Sequence, residues 1–189
     1  AWWAGILKGA LDLGYDGFMY DFGEYVPPDS VLSDGQSGHR WHNAYPLIYQ
    51  RSGHRFFASL DDDPKDEMAP DYLYFVRSAY AGSQAWTYAM WGGDPEADWS
   101  QADGLPASVV GGVNAGLSGM PFWGSDTGGF HAVFVPPPTS ELHKRWVQFS
   151  AFSGLMRDMT AEEINKGKRI HVLDEPELTM IVRKYQKLR

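Results

Sequence analysis

The sequence contains no cysteine. That absence excludes disulfides, thiolate metal sites and a cysteine nucleophile, and it leaves the compartment open. Basic residues are scarce, with 16 Lys and Arg against 24 Asp and Glu, for a formal charge of −8. Nucleic-acid phosphates are bound by clustered Lys and Arg, so this balance argues against a nucleic-acid partner. No apolar run approaches the roughly 18 residues of a membrane span, so no membrane partner is expected. Internal repeats, low-complexity tracts and Gly/Ser linkers are also missing. The opening stretch "AWWAGILKGALDLGYDG" has neither a Met nor a basic leader and reads as the middle of a domain, which leaves localisation and oligomeric state unassigned.

Aromatic residues are abundant: 8 Trp, 10 Tyr and 10 Phe in 189 residues. Most rings in such a chain pack into a core. Carbohydrate sites also stack aromatic faces on pyranose rings, so the excess tilts toward a sugar ligand without deciding it. The length suits one domain or a piece of a larger one.

Helices and strands alternate along the chain. Residues 2–13 read as a helix with Trp2, Trp3, Ile6, Leu7 and Leu11 on one face. A strand is expected over 17–21, a polar loop over 33–43, a second helix from 44 and a charged surface segment over 59–71. Residues 73–80 and 86–93 read as strands buried on both faces, because their apolar runs are continuous. A Gly-punctuated helix follows at 105–119, a strand at 120–126, a Pro-rich loop at 135–138 and a helix at 140–152. A short strand is expected at 154–157 and a last helix at 176–188. This alternation argues for parallel β/α units. Only Ala81 to Ala85 would then separate two strands, too few for an ordinary parallel crossover.

Three of the strands end on an aspartate: Asp21 in "GFMYDFGEYVPPD", Asp94 in "WGGD" and Asp126 in "WGSD". A buried strand rarely ends on an unpaired charge. A turn or helix N-cap explains such an Asp, and so does a catalytic carboxylate at the mouth of a barrel. The spacing bears on the choice. Asp94 follows Asp21 by 73 residues (94 − 21) and Asp126 follows Asp94 by 32 (126 − 94). A TIM barrel of roughly 250 residues spends about 31 on each strand–helix unit, and its active site lies at the C-terminal strand ends. The second gap is one unit, and the first fits two units with an inserted loop.

Five motifs in order, "DFGE", "RSAYAGSQ", "WGGD", "GSDTGGF" and "RWVQFSAFSGLMR", resemble those of the family 31 glycoside hydrolases, retaining α-glycosidases on a (β/α)8 barrel. "DFGEYVPPD" together with "SDG", "HN" and "DWSQADGL" is similar to the sulfoquinovosidase branch, whose members release sulfoquinovose from its α-glycosides. The resemblance implies an α/β fold in which residues 1–189 form the C-terminal half of a TIM barrel, roughly strands four to eight, within a larger catalytic domain. It implies that Asp21 is the nucleophile and Asp94 the general acid/base. A retaining mechanism sets two such carboxyls about 5–5.5 Å apart. Arg77 and Asp126 are implied to bind sugar, and Trp91 to line the pocket. Glu24 lies near the nucleophile as either a catalytic group or a structural hydrogen-bond acceptor. Trp91 and Trp86 would desolvate Asp94, and Arg77 would hold a carboxylate charged.

Two positions depart from the pattern. Phe130 stands where sulfoquinovosidases carry a Tyr whose hydroxyl helps bind the sulfonate. Met159 stands where family members usually have a His that bonds sugar hydroxyls. The implied partner is an α-glycoside substrate, with no cofactor and no metal. Rival readings are an α-glucosidase or another α-glycosidase of the family, and a non-catalytic carbohydrate-binding homologue, the latter suggested by Met159. His39, His42 and His54 lack metal-ligand spacing. Asp61, Asp62 and Asp63 lack the alternating ligands and Gly of a calcium loop. Gly111 and Gly112 read as helix-packing glycines.

Overall fold

A computed structural model describes residues 2–60, 72–87, 89–133, 135, 136, 138–159, 172, 173 and 175–189. The acidic run at 61–63 lies outside these residues. The chain divides into two compact units, Ala1–Met90 and Trp91–Arg189.

The first unit is a parallel β/α assembly. Strand β1 (Gly17–Met19) pairs in parallel with β2 (Leu73–Val76), and β2 pairs in parallel with β3 (Ala89–Trp91), whose last residue opens the second unit. Around them lie α1 (Trp2–Asp12), the single helical turn α2 (Gly38–Trp41) and α3 (Tyr45–Ala58). Helix α3 starts without a side-chain cap but with Pro46 in its first turn, where a missing N–H costs nothing and the fixed φ favours the helix. Its inner face delivers Phe57 to a core shared with Leu7 of α1, Tyr20, Tyr74 and Val76.

This core uses much of the aromatic excess. Tyr20 stacks on Tyr49 at 4.1 Å and Phe57 on Tyr74 at 5.0 Å. Buried phenols need partners. The Tyr20 hydroxyl accepts from Trp3 Nε1 at 2.6 Å and donates to the Tyr49 carbonyl at 3.3 Å, and burial pushes its pKa up to about 12. On α1 only Leu7 is buried; Trp2 and Ile6 are exposed, so the inward face is narrower than the sequence suggests.

The strands are shorter than expected, and this removes the crossover difficulty. Val76 ends β2 and Ala89 begins β3, leaving residues 77–88, about the dozen that a parallel connection needs. A 3-10 turn at Ser83–Ala85 folds this segment. Gln50 Nε2 donates to the Ser78 carbonyl, and the Tyr74 hydroxyl donates to the Trp86 carbonyl. Burial of β2 is also one-sided: Tyr74 and Val76 are buried while Leu73 is half exposed, as alternating side chains require. The expected polar loop at 33–43 contains α2, which Ser37 caps through its hydroxyl.

His54 of α3 sits edge-on to Trp86 at 5.4 Å, and burial lowers its pKa below the ordinary 6.5. The folded state therefore favours the neutral ring. The stability this gives is complete above pH 6.5 and declines as pH falls from 6.5 toward the lowered folded value, because the unfolded chain protonates first. His54→Gln should flatten the pH dependence of the thermal midpoint in that window. An unchanged slope would show that His54 does not contribute to it.

In the second unit, Gly92 N bonds the Gly124 carbonyl at 3.2 Å, setting the chain after Trp91 beside β4 (Trp123–Gly124). Helix α4 (Leu105–Leu117) packs with β4 and with α5 (Ser140–Ser150), and α5 packs with α6 (Pro176–Leu188). Thr139 caps α5 by accepting from Leu142 N at 3.2 Å. Behind that cap, Leu142 and Trp146 are buried with Ala97, Leu105 and Ala132. Burial of a side chain like Leu142 contributes roughly 1.5–3 kcal/mol. The expected strand at 154–157 is not regular. Leu155 N bonds the Trp123 carbonyl, and Asp126 and Arg157 form one parallel bridge. Among the described residues, no helix is long and apolar enough to cross a membrane.

Candidate active site

In the first unit, the sequence expectation centred on the segment after β1. Tyr20 anchors it in the core, Asp21 follows, and the backbone then turns left-handed at Phe22 (φ 63°) and Gly23 (φ 99°). A non-glycine residue there costs roughly 1–2 kcal/mol and needs surroundings that enforce it. They are present. Ser78 Oγ donates to the Phe22 carbonyl at 2.8 Å, and the Tyr49 hydroxyl donates to the Asp21 carbonyl at 3.0 Å. The Arg77 guanidinium lies 4.3 Å from the Phe22 ring centroid. A Cβ on Gly23 would sit 2.7 Å from Tyr49 Cδ1 and 3.0 Å from Ser78 Oγ, so the turn requires glycine. Burial raises the Tyr49 phenol well above its usual range, which keeps it a donor.

The turn presents two carboxylates to one cation. Arg77 is the first residue after β2, with its side chain 9% exposed. Its Nε and Nη2 both lie 2.8 Å from Glu24 Oε1, and Nε lies 3.3 Å from Asp21 Oδ1. A second Asp21 contact is local: Phe22 N donates to Asp21 Oδ1 at 2.8 Å. A buried guanidinium needs compensating charge, and Glu24 supplies most of it. Asp21, Glu24 and Arg77 are thus brought together. Tyr49, Ser78 and the strained Phe22 are additional parts of this cluster that the sequence reading missed.

In the second unit, the Trp91 ring is buried and lies 5.4 Å from Arg157 Cζ. Gly92 and Gly93 (φ 83°) then turn the chain, and Asp94 stands exposed. Trp91 faces Arg157, and within the first unit Trp86 packs against His54. Asp126 is fully buried. Its Oδ1 accepts from Arg157 Nε at 3.0 Å and from Nη2, and Thr127 N bonds the Arg157 carbonyl at 3.0 Å. Arg157, the last residue of "LMR", belongs to this site and was passed over in the sequence. Met159 Sδ lies 3.1 Å from Arg157 Nη2. Phe130 is half-buried and edge-on to His131 at 5.8 Å.

The histidines have local surroundings. His42 Nδ1 lies 2.6 Å from the Val26 carbonyl, and His39 is exposed on α2. Among the described residues there is no group of three or more His, Asp or Glu suited to a metal ion.

In each unit, charged residues follow the strands by one to three positions. Asp21 follows β1, Arg77 follows β2, Asp94 follows β3 and Asp126 follows β4. Such strand ends carry the chemistry of β/α barrels. A family model described as "Glycosyl hydrolases family 31 TIM-barrel domain" matches residues 1–189. The chain belongs to glycoside hydrolase family 31. It is 35% identical to a sulfoquinovosidase of Escherichia coli over 158 residues, covering 83% of this chain and 22% of that protein. It is 37% identical to an alpha-xylosidase of Emericella nidulans over 158 residues, covering 83% of this chain and 18% of that one. The structure of a family 31 sulfoquinovosidase from E. rectale, bound to an aza-sugar inhibitor, superposes with a TM-score of 0.86 at 30% identity. That match covers 99% of this chain and 28% of the other. The chain thus spans about a fifth of the length of these curated relatives, and its α/β fold is that of the family's TIM-barrel domain.

Proposed function

We propose that this chain is the C-terminal half of the barrel, roughly strands four to eight, of a retaining α-glycosidase of sulfoquinovosidase type. Asp21 is the nucleophile and Asp94 the general acid/base. The observation that carries the reading is the Asp21–Glu24–Arg77 cluster. Its enforced left-handed turn orients a partly exposed carboxylate at a strand end, and Arg77 supplies the counter-charge.

The chemistry is a double displacement. An Asp21 oxygen attacks the anomeric carbon as the bond to the leaving oxygen breaks, and Asp94 gives that oxygen its proton. Water then attacks the anomeric carbon and gives a proton to Asp94, and the Asp21 ester bond breaks to release the sugar with retained configuration. Solvent exposure at Asp94 suits a group that must exchange its proton with leaving group and water. Trp91, Asp126 and Phe130 act in sugar binding, with Asp126 working through its ion pair to Arg157, and Arg77 and Glu24 hold the nucleophile. The substrate is a terminal α-linked sugar.

Sulfoquinovosides are the favoured substrates because of the "DFGEYVPPD" and "DWSQADGL" segments and the likeness to the two sulfoquinovosidases above. A neutral α-glycoside is the second reading, supported by Phe130, which has no hydroxyl for a sulfonate, and by the likeness to the alpha-xylosidase. The test is kcat/KM of the whole protein for 4-nitrophenyl α-sulfoquinovoside, α-glucoside and α-xyloside. Preference for the first is expected, and Phe130→Tyr should sharpen it. An added hydroxyl gives a charge-assisted bond worth up to about 1.5–3 kcal/mol, or roughly tenfold and more in relative kcat/KM. Preference for a neutral sugar that Phe130→Tyr leaves unchanged would reject the sulfonated class. No turnover of any of the three would favour a binding protein.

A further inference from the structure

Asp94 lies on a loop, residues 92–104, that joins β3 to α4. Directly after it the chain is closely bound to a second loop, 126–133, that carries Asp126 and Phe130. The Pro95 carbonyl accepts from Phe130 N at 2.8 Å and His131 N at 3.3 Å, and Ala97 N donates to the His131 carbonyl at 2.8 Å. Glu96 and His131 form a parallel bridge at the centre of this contact. The approach is so close that a Cβ on Gly129, where φ is +85°, would fall 2.4 Å from Ala97 Cα.

The side chains at the bridge face each other, and the catalytic reading does not use them. Glu96 is 7% exposed. Its Oε2 accepts from Val133 N at 3.2 Å, and its Oε1 lies 3.3 Å from His131 Nδ1. Among the described residues neither Oε1 nor His131 Nδ1 makes a hydrogen bond, so each buried atom has only the other facing it at that distance. A carboxylate this deep is costly unless its oxygens are compensated, and among the described residues both contacts to its oxygens come from the facing loop. The remaining side of the 92–104 loop is closed internally: Glu96 N bonds the Asp103 carbonyl at 3.1 Å, and Asp98 Oδ1 accepts from Ser100 N at 2.9 Å. The free energy of solvating Glu96 therefore depends on the two loops staying in register. Only Pro95 separates this clamp from Asp94, and its ring fixes φ, which removes one of the two torsions through which that residue could absorb a displacement.

We propose that Glu96 and His131 are positioning residues that fix where the Asp94 carboxyl stands. The proposal rests on the assignment of Asp94 as general acid/base. Loosening the clamp leaves the proton donor chemically intact and misplaces it, and a misplacement near 1 Å can cost about 10²-fold. The loss falls on substrates whose leaving oxygen must be protonated, and spares those whose leaving group departs as an anion.

The experiment compares the wild-type whole protein with Glu96→Ala, His131→Ala and Asp94→Ala. Methyl and 4-nitrophenyl α-glycosides of the sugar turned over in the panel above are the substrates, and kcat/KM is read because it reports the glycosylation step. Glu96→Ala and His131→Ala should each lose about tenfold or more on the methyl glycoside and less than about threefold on the nitrophenyl glycoside. Glu96→Gln retains one acceptor and should show a smaller effect of the same kind, and it provides the reading if the Ala variant does not fold. Equal losses on both substrates, or none on either, while Asp94→Ala shows strong leaving-group dependence, would overturn the clamp and leave the acid/base assignment standing. Asp94→Ala without leaving-group dependence would overturn both.

Discussion

Asp21→Asn is expected to lower kcat roughly ten-thousand-fold or more, the scale seen when an essential nucleophile is removed, with little change in sugar affinity. An amide oxygen cannot displace a glycosidic oxygen from the anomeric carbon, yet it keeps the volume and planarity of the carboxylate. The surroundings preserve its placement. Phe22 N still has an oxygen to bond, and the Tyr49 and Ser78 hydroxyls hold the backbone of the turn and not the carboxyl. Arg77 keeps its two short contacts to Glu24, so the cluster loses one counter-charge without leaving a buried cation bare. The thermal midpoint should therefore shift little, which separates loss of chemistry from loss of fold. Stopped assays with 4-nitrophenyl glycosides and calorimetric titration with the free sugar provide the two readouts. Wild-type-like turnover in a preparation free of deamidated protein would reject Asp21 as nucleophile.

How much of this was legible in the sequence depends on the range of the interaction involved. The β/α order was legible because apolar runs bounded by glycine and aspartate are a local signal. Strand lengths were not. The expected strands ran on through residues 77–80 and 86–87, but those residues belong to the crossover, held by Gln50 of α3 and by Tyr74 of β2. Helix α2 is a single turn fixed by one Ser37 cap, too short for periodicity to reveal. The candidate carboxylates stood out as strand-end aspartates. Their partners did not: Arg157 comes 31 residues after Asp126, a spacing that follows no local rule, and the Glu96–His131 contact, 35 residues apart, left no sequence signal at all. Arg77 was accessible from both directions, as part of a motif and as the obvious counter-charge, but the choice between catalytic and structural roles for Glu24 turned on coordinates. Its Oε1 accepts both Arg77 contacts, which favours the structural one.

Asp94→Ala should divide substrates by leaving group. With a methyl or other alkyl aglycone, the departing oxygen is strongly basic and needs a proton as the bond breaks, so kcat/KM should fall by about 10²–10⁴-fold, the usual contribution of a positioned acid. With 4-nitrophenol the anion leaves unaided, and kcat/KM should be nearly preserved. The turnover number should still collapse for both, because the second half of the reaction needs Asp94 as a base to take a proton from water. A nucleophile that carries no proton bypasses that need. Added azide should raise kcat on the nitrophenyl glycoside and yield the α-glycosyl azide, since attack occurs on the face opposite the Asp21 ester. The position of Asp94 makes the variant benign to the fold: the residue is exposed, beyond the Gly92–Gly93 turn and outside the buried pairs at Asp126 and Glu96. Equal losses on both glycosides with no azide product would mean that another group delivers the proton. A β-azide would mean that the enzyme inverts, which would remove the covalent role of Asp21 as well.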